Sequence, residues 1–123
     1  MTFIYHITTR SAALQARQTG EYQTESLAIE GFIHCSQIFQ ILDVANAFYT
    51  GQKDLVILAI DPTRLAAQLK FEAPVHPRPS ATAPTSDNNF PHIYGPLNYD
   101  AVEKEFDFPL NTLGKFDLPA TLR

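Results

Sequence analysis

The sequence predicts an α+β domain. Three observations carry that reading: short runs rich in β-branched and aromatic residues, alanine-rich or amphipathic stretches bounded by cap residues, and a length that supports one core. A chain of 123 residues with 45% hydrophobic and 18% charged content has the size of one globular domain. No linker or internal repeat divides residues 1–123, so a single domain is expected.

Thr2 to Thr8 carries β-branched and aromatic residues without a breaker and reads as a strand, with Ile4, His6 and Thr8 on one face and Phe3, Tyr5 and Ile7 on the other. Thr8 or Thr9 then caps a helix through "RSAALQARQT", and Gly20 stops it. Ser26 is a second cap candidate, opening a short helical turn that Gly31 ends before the strand "FIHCS". On that strand Phe32, His34 and Ser36 share a face. From Gln37 to Tyr49, Ile38, Ile41, Leu42, Ala45 and Phe48 recur at helical spacing, and Gly51 closes the segment.

"DLVILAID" is a continuous apolar run that suits a strand buried on both faces. Asp61 and Pro62 read as the cap and first turn of a short helix, "PTRLAAQL", and "KFEAP" as a further short strand. Ala73 to Asn89 holds four of the nine prolines and no apolar period, which makes it one long loop, expected to be mobile and to fold over the site as a lid. "FPHIYG" returns to strand composition, "VEKEFDF" alternates as an edge strand does, and "NTLGKFDLP" reads as a turn into a last short strand.

Nine basic against thirteen acidic residues give a net charge of −4 without a basic cluster, so no general nucleic acid binding is expected. The longest apolar run, "LVILAI", is far shorter than the roughly 20 residues that span a bilayer. "MTFIYHITTR" has none of the parts of a secretory signal, and the lone Cys35 builds no internal disulfide; a cytoplasmic protein without a membrane partner is expected.

The chemistry concentrates in His6, His34 and His92. Each lies in or beside a predicted strand, with Thr8, Ser36 or Tyr94 two positions on, so alternation brings imidazoles and hydroxyls together in a polar pocket. A neutral histidine satisfied by backbone groups in a core is the plain alternative. Three imidazoles also suit zinc, but no close spacing or acidic residue completes a shell, so no metal is expected. A nucleophilic Cys35–His34 pair is excluded because neighbours on a strand point to opposite faces, which leaves Cys35 as a small core residue. A polar small molecule such as a nucleotide fits the remaining pattern, with Tyr5, Phe48, Tyr49 and Tyr94 as candidate stacking rings.

The segments "IYHIT", "GEYQTESLAIEGFIHCS", "VANAFYTGQKDLVILAID" and "FPHIYGPLN" together resemble the bacterial family catalogued as domain of unknown function 952, over nearly the whole chain. The resemblance implies a fold similar to that of the ADP-ribosyltransferases: two small, mainly antiparallel sheets with an NAD-binding cleft and two or three flanking helices. It implies that His6 with Thr8, in "YHIT", bonds an NAD ribose, and that His34 with Ser36 packs on the nicotinamide side. The third motif falls at "PHIYG", which offers His92 and Tyr94 where those enzymes commonly carry glutamate. Glu30 and Glu72 are the nearest carboxylates in sequence.

On this basis His34, His92 and Tyr94 are expected to carry any chemistry, and His6, Thr8, Ser36 and Tyr49 to hold NAD or a related small-molecule ligand. The expected reaction is cleavage or transfer at the nicotinamide ribosyl bond. A non-catalytic metabolite-binding module and, behind it, a zinc-dependent hydrolase are the alternatives.

Overall fold

The computed structural model describes residues 2–73 and 89–122. Its centre is strand β4 (Leu55–Ile60), whose six residues are all buried because "LVILAI" offers no polar side chain to either face. Strand β1 (Ile4–Thr9) pairs antiparallel with one edge of β4, setting His6 opposite Leu58 and Thr8 opposite Val56. Strand β8 (Val102–Phe108) covers the other edge, with a bulge at Ala59/Ile60. Val56, Leu58 and Ile60 point into one hydrophobic cluster with Ile4, Ile33 and Ile93. Leu55 and Ile57 point into a second with Ile7, Ile41, Ala45, Phe108 and Phe116.

Helix α1 (Arg10–Thr19) follows β1, opened by the Thr9 hydroxyl accepting from Ala12 N (3.1 Å) and closed at Gly20 in the left-handed region. Gly20 turns the chain into β2 (Glu21–Tyr22), which pairs with β7 (Leu97–Asn98). This two-residue ladder is a sheet of its own, so the described residues form three small antiparallel sheets where the sequence led us to expect two. The remaining sheet contains β3 (Ile33–His34), β6 (Phe90–Tyr94) and β5 (Gln68–Glu72) in that spatial order.

Several local expectations are corrected. Helix α2 (Glu25–Ile29) is capped by Thr24, whose hydroxyl accepts from Leu27 N, because the Ser26 hydroxyl donates instead to Phe32 O (2.8 Å). The segment expected to be one helix over 37–49 starts as a 3-10 turn, Ile38–Gln40, and becomes α3 only over Ile41–Phe48. The helix expected after Asp61 stops at Arg64, because the Asn98 side chain accepts from Ala66 N and donates to Arg64 O, drawing the chain out into β5. The last strand shrinks to a single bridge between Leu110 and Phe116 around the Asn111 turn. Of the loop read as Ala73 to Asn89, residues 74–88 lie outside the described residues. Among the described residues, no helix is long and apolar enough to cross a membrane.

Gly95, at the exit of β6, is fixed by close packing: a Cβ there would stand 2.8 Å from the Cβ of Ala67. Contacts this short force a shift, and overpacking of this kind costs about 1–3 kcal/mol. Gly95→Ala is therefore expected to lower the unfolding free energy measured in urea by that amount, and Ala67→Gly in the same chain should recover part of the loss. Equal stability for wild type and Gly95→Ala would remove the packing explanation.

Candidate functional site

The site forms where β1 meets the end of β3. Tyr5 N donates to Ser36 O (2.8 Å) and Ser36 N returns a bond to Tyr5 O (2.7 Å), so one backbone bridge joins the two sheets. Beside this seam lies a cavity of about 590 Å³, within the range of about 300–1,000 Å³ usual for small-molecule pockets. His6 and Thr8 line it from β1, His34 and Ser36 from the β3 segment, and His92 from β6. Glu30 and Ile29 enter from the end of α2, and Phe48 and Tyr49 from the end of α3. Phe48 is 51% exposed, so the predicted apolar face of α3 is only partly spent on the core and its last aromatic is left at the pocket.

His6 is buried, and both its nitrogens are engaged. Nδ1 lies 2.5 Å from the carbonyl oxygen of His34; a carbonyl only accepts, so Nδ1 carries the proton. Burial holds the ring neutral, with its pKa pushed down to about 4. Nε2 then accepts the phenol proton of Tyr22 (2.8 Å), and the Thr8 hydroxyl, 2.8 Å from the same phenol oxygen, completes the chain. His6 thus binds the two sheets together through its side chain and sets a rigid floor.

His34 and His92 stand directly opposite each other in the β3–β6 register, ring centroids 5.3 Å apart. Each has a carboxylate. Nε2 of His34 lies 3.0 Å from Glu30 Oε1, and Nδ1 of His92 lies 2.8 Å from Glu72 Oε1. The same Glu72 oxygen accepts from the Tyr94 hydroxyl (2.5 Å). Those donors, Tyr94 first, hold Glu72 below the usual carboxylate range, while burial lowers the pKa of His92 against the opposing pull of Glu72. Phe32 lies flat against the His92 ring, centroids 4.1 Å apart at 22°.

The structure therefore brings His6, Thr8, His34, Ser36, Tyr49 and His92 to one cavity. Tyr94 stands behind, with its hydroxyl on Glu72 and Lys70 Nζ 4.7 Å from its ring centre. Cys35 is buried, and burial pushes its thiol up, which suits a core residue. Sequence reasoning passes over Tyr22, puts Phe32 on the face of His34 without a role, and gives Glu30 and Glu72 no place. Alternation along β5 puts Lys70 and Glu72 on one face, but only the antiparallel pairing of β5 with β6 sets that face beside His92. Among the described residues, the cavity wall carries Glu25 and Glu30 and neither arginine nor lysine. Among the same residues, no three His, Cys, Asp or Glu side chains are grouped so as to hold a metal ion.

The family model described as protein of unknown function (DUF952) matches residues 7–105, and the chain belongs to that family. It is similar to the crystal structure of protein CC0527 from Caulobacter crescentus, at 31% identity over 98% of each chain with a TM-score of 0.81. A double mutant of that protein gives 30% identity, the same coverage and 0.80. Its solution structure gives 32% identity over 94% of this chain and 91% of the other, with a TM-score of 0.74. No curated protein matches the chain.

The depressed pKa of His6 makes stability depend on pH. The unfolded ring titrates near 6.5 and the folded one near 4, so between those values the unfolded chain binds the extra proton and the fold weakens as pH falls. The contribution is complete above pH 6.5, is lost once the folded ring has also titrated, and amounts to about 3 kcal/mol. His92 acts in the same sense. Urea unfolding at about pH 7, 5.5 and 4.5 should show this loss, with a shallower slope in His6→Gln; identical slopes in both chains would contradict the assignment.

Proposed function

We propose that this member of the DUF952 family binds the nicotinamide ribosyl half of an NAD-like dinucleotide in the seam cavity and acts at its ribosyl bond. The observation that carries the reading is the opposed His34–His92 pair with a glutamate at each ring, set among hydroxyls and aromatics. Imidazoles and the Thr8 and Ser36 hydroxyls suit ribose oxygens. The Phe48 and Tyr49 rings suit a planar heterocycle. Glu30, on the cavity wall, supplies the carboxylate that the third sequence motif lacks. A negative charge there favours a cationic pyridinium riboside and the positive charge that grows on the ribosyl carbon as the bond breaks.

The likeness to ADP-ribosyltransferases belongs to this proposal. It is supported by the "YHIT" motif on β1, by the second histidine on β3, and by a cavity lined from strands of separate antiparallel sheets. The described wall offers the diphosphate no arginine or lysine, so it is the nicotinamide end that the wall fits.

Thermal unfolding with NAD, nicotinamide riboside, AMP and zinc chloride, each added alone, tests the reading. NAD and the riboside are expected to stabilise the chain, by about 2.7 kcal/mol at 100 times the dissociation constant. The His34 side chain is 37% exposed, so His34→Ala is expected to cost the unliganded chain less than about 1 kcal/mol while removing the ligand effect. Stabilisation by zinc alone would move the reading to a metal-dependent hydrolase. Binding of NAD without its turnover would move it to a metabolite-binding module.

A further inference from the structure

The geometry points to Glu72, His92 and Tyr94 as a base relay: Glu72 fixes the His92 ring through Nδ1–H, and Nε2 takes a proton from the water or hydroxyl that attacks the ribosyl carbon. This rests on the ribosyl-bond reading above for its substrate, while the relay itself stands on the protein's own atoms.

A carboxylate only accepts, so the 2.8 Å contact to Glu72 Oε1 places the proton of a neutral His92 on Nδ1. Nε2 then keeps its lone pair. It has no protein partner among the described residues, yet no buried side-chain nitrogen or oxygen there lacks one, so Nε2 is reached from the cavity that His92 lines. The ring cannot swing away: His92 is 1% exposed, and Phe32 stacks on its face. Glu72 is fixed in turn by the Tyr94 hydroxyl on the same oxygen. The charged and titratable groups around the ring are Glu72 and Lys70 from β5, Tyr94 from β6, His34 from β3 and Glu30 beyond it. Burial outweighs Glu72 and leaves His92 unprotonated at neutral pH.

In the step, the attacking oxygen bonds to the ribosyl carbon as its proton passes to Nε2. The bond from that carbon to the pyridinium nitrogen breaks, its electron pair stays on the ring nitrogen, and neutral nicotinamide leaves. The imidazolium so formed is paired with the Glu72 carboxylate. Water as acceptor gives ADP-ribose. Glu72 and Tyr94 act only through His92 and are positioning residues.

The test measures nicotinamide release from NAD between about pH 5 and 9, with NAD-dependent thermal stabilisation recorded on the same samples. Wild type should show one acidic limb, the rate rising as His92 loses its proton. His92→Gln should lose about a hundredfold or more in the rate of nicotinamide release measured at saturating NAD. Glu72→Gln removes a negative charge from the ring and should move the limb to lower pH. Tyr94→Phe leaves the carboxylate less occupied and should move it to higher pH. Shifts of opposite sign separate a relay from mere loss of structure. Release by His92→Gln within about threefold of wild type, or limbs unmoved in both other variants, overturns the base role. Stabilisation of wild type by NAD without nicotinamide release also overturns it and leaves the binding reading intact. Nitrogen NMR of His92 tests the tautomer without NAD: a proton on Nε2 in the resting chain refutes the relay. A chain that shows the Nδ1–H ring but neither binds nor cleaves NAD overturns the ribosyl reading and the step with it.

Discussion

The bond from the buried His6 ring to the carbonyl of His34 is the constraint on which the rest of the site depends. Strand β3 is only two residues long and could not hold a position by its ladder alone. The His6 bond and the Tyr5–Ser36 backbone pair anchor its end to β1, which β4 fixes in the core. Once β3 is held, its register with β6 sets His34 against His92. The anchor has an electrostatic condition. A ring buried between a carbonyl and a phenol is kept neutral, so the seam is strongest when the solution does not press a proton on His6.

From this seam outward the three histidines divide their work. His6 spends both nitrogens on the protein and serves the architecture. His34 and His92 each meet a glutamate, but from different directions: Glu30 arrives by sequence proximity across the turn after α2, and Glu72 by strand pairing. Glu30 is part of the cavity wall, whereas Glu72 stands behind His92. One carboxylate thus adds charge to the pocket and the other acts on a ring that faces it. Ile29 and Phe48, both largely exposed, leave apolar surface on the same wall, giving a pocket of mixed character.

Local chemistry makes the elements legible in the sequence. Strand alternation puts His6 and Thr8 together, the Thr9 and Gly20 caps bound α1, and the unbroken apolar run of β4 marks the centre of the fold. Alternation also places His34 and His92 on strands, and both line the cavity. Which strand pairs with which is not written in any local pattern, and the partners of the histidines depend on that pairing. Glu72 is twenty positions from His92 and Tyr22 sixteen from His6, and no local period encodes either meeting. Helix boundaries depart from expectation where a side chain from elsewhere competes: Asn98 ends the turn after Asp61, and Phe32 O claims the hydroxyl of Ser26, the cap candidate.

Central to the proposed function is that the seam cavity is the ligand site and that His34 and His92, not His6, face the ligand. Imidazole carbon–proton resonances followed by NMR during a titration with NAD test this most directly. Saturable shifts of the His34 and His92 ring signals are expected, with His6 changing far less because both its nitrogens stay bound to the protein. Saturable shifts elsewhere on the chain with the His34 and His92 rings unmoved would contradict it.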